Sequence, residues 1–343
     1  MKKKVAILGA TGIVGYNFVK ILDKHPFFEI SELCASKRSK GKKYKDALKG
    51  EIDTNISYKT RNMIVKECTP NLDAQYLFSA LSSDIAGKIE KDYAEKGYIV
   101  FSNAKNHRMK KNVPLIIPEV NWDHISMIDN QKTKGKIITN PNCSTIGLAL
   151  GIHPIDKYFE IERITVVTLQ AVSGAGYSGV SHLQINDNVI PHIEGEENKI
   201  INETNKILGN LNFNNEINKR KIKIDVHCNR VPVSNGHSES VFVKFKNNYS
   251  FTEIKKIWNN FKPKERYLDL PSSIKHPIIY FDKNNYPQPK LHRNLAGGMC
   301  ISIGNFKKTA NFHCKFVLLV HNTVRGAAGS SVLNAEYYYR DFG

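Results

Sequence analysis

The sequence predicts an α/β protein with two domains, the first doubly wound around a parallel sheet and the second α+β with a mixed sheet. Over residues 1–142, apolar strand patterns alternate with helical patterns, which is typical of a parallel sheet covered by helices. Over residues 143–322, long alternating strands predominate, which is typical of a mixed or largely antiparallel sheet. The last helical pattern, residues 323–343, has a small-residue face, and we expect it to pack back on the first domain.

The first strand leads into a glycine-rich turn. The apolar run Lys4–Gly9 predicts a buried parallel strand, and the helical pattern after it extends to Leu22. Glycines spaced three apart allow a tight turn, a close backbone approach to a pyrophosphate and close helix–sheet packing. The spacing GxxGxxG is weak alone, but its flanks favour a Rossmann-like dinucleotide site. The predicted cofactor residues here are Gly9, Thr11, Gly12, Ile13 and Val14.

The second strand pattern, Ile30–Ala35, ends in a basic loop. An acidic residue at this position would bind the ribose 2′-hydroxyl of NAD, but the chain has Ser36, Lys37, Arg38 and Ser39. Serine and arginine side chains suit a 2′-phosphate, so Ser36, Arg38 and Ser39 predict NADP as the cofactor. A solvated basic loop remains the alternative.

Polar residues follow later strands of the same domain. Ser82 and Asn103 come after the ends of the strand patterns Tyr76–Leu81 and Tyr98–Ser102, and Arg108 lies a few residues further on. Ligands of open α/β sheets bind at the carboxyl ends of the strands. We therefore expect these side chains to face a ligand.

The stretch Ile137–Leu150 reads as a strand, a Pro-Asn turn, Cys143 and a helix of small and apolar residues. This order places Cys143 at a helix N-terminus beside the backbone amides of Ser144 and Thr145, which we expect to be free. Such amides stabilise a thiolate and the oxyanion that forms when it attacks a carbonyl. Cys143 is therefore a candidate nucleophile, although a free cysteine is often only a small buried hydrophobe.

Further polar candidates lie in the second domain. Gln170 ends a strand that runs into the Gly/Ser/Ala loop containing Ser173 and Gly174, and a plain turn is the alternative for that loop. Arg230 is suited to clamp a substrate carboxylate, and His237 to exchange protons with a thiolate. We expect no metal site, because a zinc set of Cys143, His227, Cys228 and His237 lacks the usual ligand spacing.

Glu196 and Lys199 stand three residues apart at the start of a predicted helix and therefore share a face. On the residues alone, an exposed surface ion pair is the favoured interpretation.

Composition limits the partners and the compartment. The 343 residues include 50 Lys+Arg against 32 Asp+Glu, a net charge of +18. The lysines are dispersed without a recognition motif, so we predict no nucleic-acid partner. No apolar run is long enough to span a membrane, and the first one ends at Gly9, so we predict neither membrane association nor targeting. Six cysteines without paired spacing predict a cytoplasmic protein with reduced thiols.

Taken together, these segments resemble the aspartate-β-semialdehyde dehydrogenase family, and most closely its archaeal/fungal-type branch. The resemblance covers nearly the whole chain, and the segments occur in family order. They are Gly9–Gly15, Ala35–Lys42, Asn140–Thr145, Gln170–Gly176, Gly195–Lys199, Arg230–His237 and Asn322–Gly329. Gln288–Asn294 departs from the arginine-containing motif expected there, at a distance in sequence from every catalytic position.

The resemblance implies NADPH-dependent reduction of L-aspartyl-4-phosphate to L-aspartate 4-semialdehyde with release of phosphate, in lysine, methionine and threonine synthesis. It implies Cys143 as the nucleophile that forms a thioester, His237 as the acid–base catalyst and Gln170 as the residue that orients the acyl group. The implied substrate residues are Arg230 for the α-carboxylate, Glu196 for the ammonium, Arg108 and Lys199 for the phosphate, and Asn142. The implied cofactor contacts also include Ser82, Ser173, Gly174 and Asn322.

The resemblance also implies a homodimer or a dimer of dimers, with the second domain supplying both the interface and the catalytic residues. Some malonyl-CoA reductases share this architecture and these motifs, although Arg230 and Glu196 favour an amino-acid substrate. A remote alternative is a basic nucleic-acid-binding protein on a vestigial dehydrogenase fold.

Overall fold

The strands of the protein form two six-stranded sheets and one two-stranded hairpin in the computed structural model, which describes residues 2–50, 52–177 and 179–343. The strands of the first sheet are β1 (Lys3–Leu8), β2 (Phe28–Ala35), β3 (Lys66–Glu67), β4 (Tyr76–Ser79), β5 (Ile99–Ser102) and β6 (Lys136–Thr139). The later strands are β7 (Ile161–Ala171), β8 (Asn210–Leu211), β9 (Ile217–Asn218), β10 (Lys223–Val231), β11 (His237–Phe245), β12 (Ile278–Tyr280), β13 (Ile301–Lys308) and β14 (Cys314–Val320).

The α-helices of the described residues vary from single turns to a long central helix. They are α1 (Ile13–Leu22), α2 (Tyr44–Ala47), α3 (Tyr58–Arg61), α4 (Ser83–Glu95), α5 (Pro118–Asn121), α6 (Cys143–Phe159), α7 (His182–Ile185), α8 (Glu196–Ile207), α9 (Phe251–Asn260), α10 (Pro289–His292) and α11 (Gly329–Phe342). A turn of π-helix, Val324–Ala328, leads directly into α11.

The first sheet is entirely parallel, in the order β3-β2-β1-β4-β5-β6. This is the doubly wound Rossmann order, and its topological switch point lies between β1 and β4, where dinucleotides bind. The strands are apolar without alternation because helices cover both faces: Val5, Ile7 and Leu8 of β1 are all fully buried. The doubly wound fold predicted from the sequence is confirmed.

The second sheet is mixed, in the order β10-β7-β11-β14-β13-β12. Its central pairs β7–β11, β11–β14 and β14–β13 are antiparallel, and the two outer pairs are parallel. Side chains alternate in and out along β11, and the inward ones pack with α6 in a core that also contains side chains of α8 and α9. The predicted mixed sheet is therefore confirmed, and it holds His237 at the first residue of a central strand.

The C-terminal helix α11 crosses back onto the first sheet, where it packs against α1, β4 and β5. The small residues Gly329 and Ala335 are buried in this contact, and Tyr338 stacks edge-on against Tyr76 and Phe101. The last segment of the chain thus shares its core with β1–β6.

The segment 210–219 differs from the irregular loop that its polar composition suggests. Its ends pair as the hairpin β8–β9, because Asn212 Oδ1 accepts from the backbone amides of Asn214 and Glu216, at 2.9 Å each, and closes the turn.

Within the described ranges, none of the helices is long and apolar enough to cross a membrane. The same residues contain no cluster of three or more His, Cys, Asp or Glu side chains placed to hold a metal ion. Each of the six cysteines is a free thiol.

Candidate active site

Cys143 lies at the first residue of α6, directly after the turn that leaves β6. Asn142 is the N-cap of this helix, and its Oδ1 accepts from the amides of Ser144, at 3.0 Å, and Thr145, at 3.2 Å. A side-chain cap of this kind stabilises a helix by about 1 kcal/mol. The expectation that these two amides are free is therefore wrong, because the side chain just before the cysteine uses them to fix the turn.

His237 faces the thiol across the site: its Nε2 is 3.2 Å from Cys143 Sγ, and the ring is completely buried. The other ring nitrogen, Nδ1, accepts a hydrogen bond of 3.0 Å from the Ala171 backbone amide. A neutral imidazole whose Nδ1 is an acceptor carries its proton on Nε2. The fold therefore presents an Nε2–H donor to the sulfur.

Burial governs the protonation of both partners. It raises the pKa of Cys143 to about 12, with a further contribution from the Glu196 charge, against the opposing effects of the Ser144 amide, Arg108 and Arg230. Burial also lowers the pKa of His237 to about 3. The substrate-free site thus holds a neutral thiol beside a neutral imidazole rather than a thiolate–imidazolium pair.

This protonation state predicts how the thiol reacts with pH. Because the thiol pKa lies above the working range, the thiolate fraction rises about tenfold per pH unit, and alkylation by iodoacetamide should rise equally steeply between about pH 6 and about pH 9. The reaction is followed by mass spectrometry of the peptide containing Cys143. A rate that stays constant down to about pH 6 would instead indicate an ion pair.

Glu196 is buried at the start of α8 and connects three polar side chains. Its Oε1 accepts from Asn142 Nδ2 at 2.7 Å and from Gln170 Nε2 at 3.3 Å, and its Oε2 accepts from Lys199 Nζ at 2.9 Å. Burial raises the pKa of Glu196, but Lys199 and Asn142 outweigh it and the net pKa is lowered, so the carboxylate is ionised. The exposed surface pair favoured on the residues alone is not what the structure shows, since Glu196 is only 5% exposed.

Arg230 lies on the same side of the site as the Ala171 carbonyl and the His237 ring. Its Nη1 donates to the Ala171 carbonyl at 2.8 Å, which fixes the guanidinium beside the His237 ring. Gly174 lies against both: a Cβ there would be 2.8 Å from Arg230 Nη1 and 3.2 Å from His237 Cε1. The structure therefore places Gly174, predicted as a cofactor residue, in contact with the candidate catalytic side chains.

Arg108 reaches the site from the loop after β5. Its Nη1 donates to Glu203 Oε1 at 2.9 Å and its Nη2 to the Asn103 carbonyl at 2.6 Å. The side chain is thus held by two acceptors, one of them a carboxylate from α8. Like Lys199, it is paired with an acidic residue of that helix.

The glycine turn has the geometry that a pyrophosphate requires. Gly9 has φ +77°, and a Cβ there would come within 2.7 Å of the Ala80 carbonyl oxygen. Gly12 is the N-cap of α1 and has no side chain to cap it, so the first amides of that helix face the crevice between β1 and β4. Thr11, Ile13 and Val14, the other predicted cofactor residues of this turn, are half-buried.

The remaining predicted cofactor residues fall into two groups. Ser36 and Arg38 are exposed at the end of β2, where Ser39 turns back into the protein; Ser82 is exposed as the N-cap of α4. Asn322 belongs to the second group: it donates to Ser173 Oγ at 2.8 Å and accepts from the Gly236 amide at 2.9 Å. These bonds tie the Ser173 loop to the strand that carries His237.

Three residues near the site were not identified from the sequence. Glu203 and Lys206 lie on the same face of α8 as Glu196 and Lys199, and their 3–4 spacing was the available signal. Gly326 is the third: a Cβ there would be 2.7 Å from Cys143 Cβ. The partners of all three residues come from distant parts of the chain, which no local pattern reveals.

The chain matches two family models. Residues 4–128 match the semialdehyde dehydrogenase NAD binding domain, and residues 152–325 match the semialdehyde dehydrogenase dimerisation domain. Among curated proteins it is 43% identical over 340 residues to the aspartate-semialdehyde dehydrogenase of Methanothermobacter thermautotrophicus, covering 97% of each chain. It is 41% identical over 350 residues to that of Aspergillus fumigatus, covering 98% of this chain and 96% of the other.

Solved structures show the same similarity. The aspartate-semialdehyde dehydrogenase of Candida albicans, solved with NADP, superposes with a TM-score of 0.91 at 39% identity and covers 98% of this chain and 99% of its own. The Vibrio cholerae aspartate-semialdehyde dehydrogenase II superposes with a TM-score of 0.81 at 27% identity over 100% of both chains. Since these similarities to archaeal and fungal proteins extend over nearly the full length, the resemblance drawn from the motifs is confirmed: the chain belongs to the aspartate-semialdehyde dehydrogenase family.

Proposed function

We propose that the protein catalyses the NADPH-dependent reduction of L-aspartyl-4-phosphate to L-aspartate 4-semialdehyde and phosphate, a step toward lysine, methionine and threonine. The observation that carries this proposal is the approach of Cys143 Sγ to His237 Nε2, at 3.2 Å, in a site that also contains Gln170, Arg230 and Glu196. A thiol nucleophile beside a proton donor suits acyl transfer. The carboxylate and the guanidinium suit an amino-acid substrate.

In the first half-reaction, the Cys143 sulfur attacks the acyl carbonyl. A carbon–sulfur bond forms, the carbon–oxygen bond to phosphate breaks, and the thiol proton leaves with the phosphate. Because the Ala171 amide holds Nδ1 as an acceptor, His237 acts as an Nε2–H donor, first toward the sulfur and then toward the substrate oxygen. NADPH, when bound, supplies the hydride that reduces the thioester. The carbon–sulfur bond then breaks, the aldehyde departs, and the Cys143 thiolate takes up a proton from solvent.

The substrate residues act by position and charge. Arg230 receives the α-carboxylate, and Glu196 receives the α-ammonium group in place of part of its bonding to Lys199. Gln170 orients the acyl oxygen, since its Nε2 makes only long contacts, of 3.3 Å to Glu196, 3.4 Å to Thr168 and 3.9 Å to Cys228 Sγ. Arg108 and Lys199 bind the phosphate, and Asn142 fixes the turn that carries the nucleophile.

NADP would be held by the glycine turn and by the loop after β2. The fit rests on the uncapped start of α1, the room that Gly9 and Gly12 leave, and the absence of an acidic side chain at positions 36–39. The solved Candida albicans relative contains NADP. Ser36, Arg38 and Ser39 would then face the 2′-phosphate, with Ser82, Ser173, Gly174 and Asn322 closer to the nicotinamide end.

Arg38→Glu should raise the KM for NADP by roughly tenfold to a hundredfold, because a charge-assisted contact to phosphate is replaced by repulsion. The KM for NAD should change little. Lys24→Glu makes the same charge change at an exposed position two residues after the end of α1 and should leave both values unaltered. Equal losses with NADP and NAD would contradict the assignment of Arg38 to the 2′-phosphate.

We propose the same division into domains that the sequence predicts: residues 1–142 with 323–343 bind NADP, and residues 143–322 carry catalysis and the subunit interface. Membership of β1–β6 in one sheet and the packing of α11 on that sheet support the division.

We further propose a cytoplasmic homodimer or dimer of dimers that forms through the outer face of the second sheet. Leu169, on the outer face of β7, is 43% exposed, and the outward residues of β11 are half-exposed. Light scattering after gel filtration should give at least twice the chain mass, and Leu169→Glu should reduce it. A monomeric wild type would contradict the proposal.

The reaction itself is tested in the reverse direction, by NADP reduction with L-aspartate 4-semialdehyde. We expect a rate that depends on inorganic phosphate and exceeds the rate with NAD. If the semialdehyde gives no activity and malonyl-CoA instead oxidises NADPH, the substrate is a CoA thioester and not an acyl phosphate.

A further inference from the structure

Helix α8 continues past its substrate residues with two further ionisable groups on the same face. Glu196, Lys199, Glu203 and Lys206 are spaced three, four and three apart, so they lie along one stripe of the helix. Glu203 and Lys206 are each only 2% exposed. Buried charges at these positions require partners, and both find them in the first half of the chain.

Glu203 bridges two parts of the active site with its two oxygens. Oε1 accepts from Arg108 Nη1 at 2.9 Å, and Oε2 accepts from the Asn142 backbone amide at 2.7 Å. Asn142 in turn caps the helix that begins with Cys143. One carboxylate therefore joins the candidate phosphate-binding guanidinium to the turn that carries the nucleophile.

Lys206, one turn further on, holds the main chain of the same loop. Its Nζ donates to the carbonyls of Arg108, at 2.6 Å, Lys110, at 2.9 Å, and Val113, at 2.7 Å. The loop backbone is thus fixed independently of Glu203. The Glu203 carboxylate and the Asn103 carbonyl together orient the Arg108 side chain.

We propose that Glu203 is a positioning residue of the reaction, which orients Arg108 toward the phosphate and aligns the Cys143 turn through the Asn142 amide. The proposal rests on the roles given above to Arg108 and Cys143. Both bonds are charge-assisted and shielded from water, so they hold their donors in a single direction. Phosphate binding and thiol alignment are thereby coupled through one side chain.

Glu203→Gln tests the proposal because it keeps the shape but replaces one acceptor oxygen by an NH2 donor. That group must face either Arg108 Nη1 or the Asn142 amide, which are both donors. We expect the KM for phosphate to rise about tenfold or more in semialdehyde oxidation, with a fall in kcat of similar size, because misplacement of a binding group by about 1 Å can cost a hundredfold. NADP binding should be unchanged.

The control is Glu32→Gln, which removes a buried carboxylate of β2 that is paired with Lys66. It should alter thermal stability but neither KM nor kcat. A Glu203→Gln enzyme with wild-type kinetics and only a lowered Tm would overturn the proposal, as would an equal kinetic change in the control.

Glu203→Asp keeps the charge but shortens the reach, and it should also raise the KM for phosphate. If Glu203→Gln does not fold, an unchanged KM in Glu203→Asp overturns the proposal. A wild-type enzyme without phosphate-dependent activity is a different outcome, because it refutes the proposed function itself and not the role of Glu203 alone.

Discussion

Replacing Cys143 with serine should reduce the rate of semialdehyde oxidation by at least about a thousandfold, because an alcohol at this position is a far weaker nucleophile than a thiol. Sγ is 3.2 Å from His237 Nε2 and a hydroxyl fits the same space, so the loss comes from chemistry and not from packing. NADP binding and thermal unfolding should stay close to wild type. Steady-state kinetics measure the rate, and a cofactor titration and a thermal unfolding curve of the same preparation measure NADP binding and stability.

Cys300→Ser is the matched control for Cys143→Ser. Cys300 is 4% exposed, and its Sγ lies 3.3 Å from the Leu295 carbonyl, where a serine hydroxyl can donate equally well. This variant should retain full activity. Residual activity of Cys143→Ser within about tenfold of wild type would contradict covalent catalysis at this residue.

Arg325→Met should lower the free energy of unfolding by about 3–5 kcal/mol, because it leaves a buried carboxylate without its partner. Arg325 donates to both oxygens of Glu119 at 2.8 Å, and the two side chains are 0% and 1% exposed. The pair joins the π-helical turn before α11 to α5. Urea-induced unfolding measures the loss, provided that the transition is two-state.

A double variant tests whether the loss of stability in Arg325→Met comes from the unpaired carboxylate of Glu119. Glu119→Gln combined with Arg325→Met should lose less stability than Arg325→Met alone, since the unpaired charge is gone. The exposed pair of Lys88 and Asp92 on α4 provides a contrast: Lys88→Met should change stability little. An Arg325→Met protein as stable as wild type would show that the buried pair does not hold the C-terminal segment.

The features predictable from the sequence are those that short segments encode. Buried parallel strands are continuously apolar, and a glycine turn between strand and helix has few other uses, so the first sheet and the turn at Gly9 follow from local pattern. The helix start at Cys143 follows in the same way from the Pro-Asn turn. The family resemblance then supplied the substrate roles that composition and spacing left open.

The features that the sequence did not reveal arise from long-range contacts. Arg108 and Glu203 are 95 residues apart in the chain, and a polar helix stripe normally faces water. The tautomer of His237 depends on an amide 66 residues earlier, at Ala171. The hydrogen bonds from the amides of Ser144 and Thr145 to Asn142 Oδ1 are local. The sequence alone did not show whether these amides bind the cap or an oxyanion, because the two uses compete.

The C-terminal segment also combines a feature that the sequence predicts with one that it does not reveal. Its small residues predict close packing against another element, and Gly326 lies so close to Cys143 that no side chain fits between them. The pattern of small residues does not show that the residue they contact is the nucleophile Cys143. The path of the chain around both sheets is what brings this segment to the site. Residues of the final segment therefore shape the active site without taking part in its chemistry.

The central claim, a thioester on Cys143, is tested most directly by a single turnover without phosphate. Enzyme mixed with L-aspartate 4-semialdehyde and NADP should form about one NADPH per active site rapidly and carry an aspartyl group on the Cys143 peptide in mass spectrometry. Added phosphate should remove the group and start steady turnover. NADPH formation without any adduct on Cys143 would contradict the thioester mechanism.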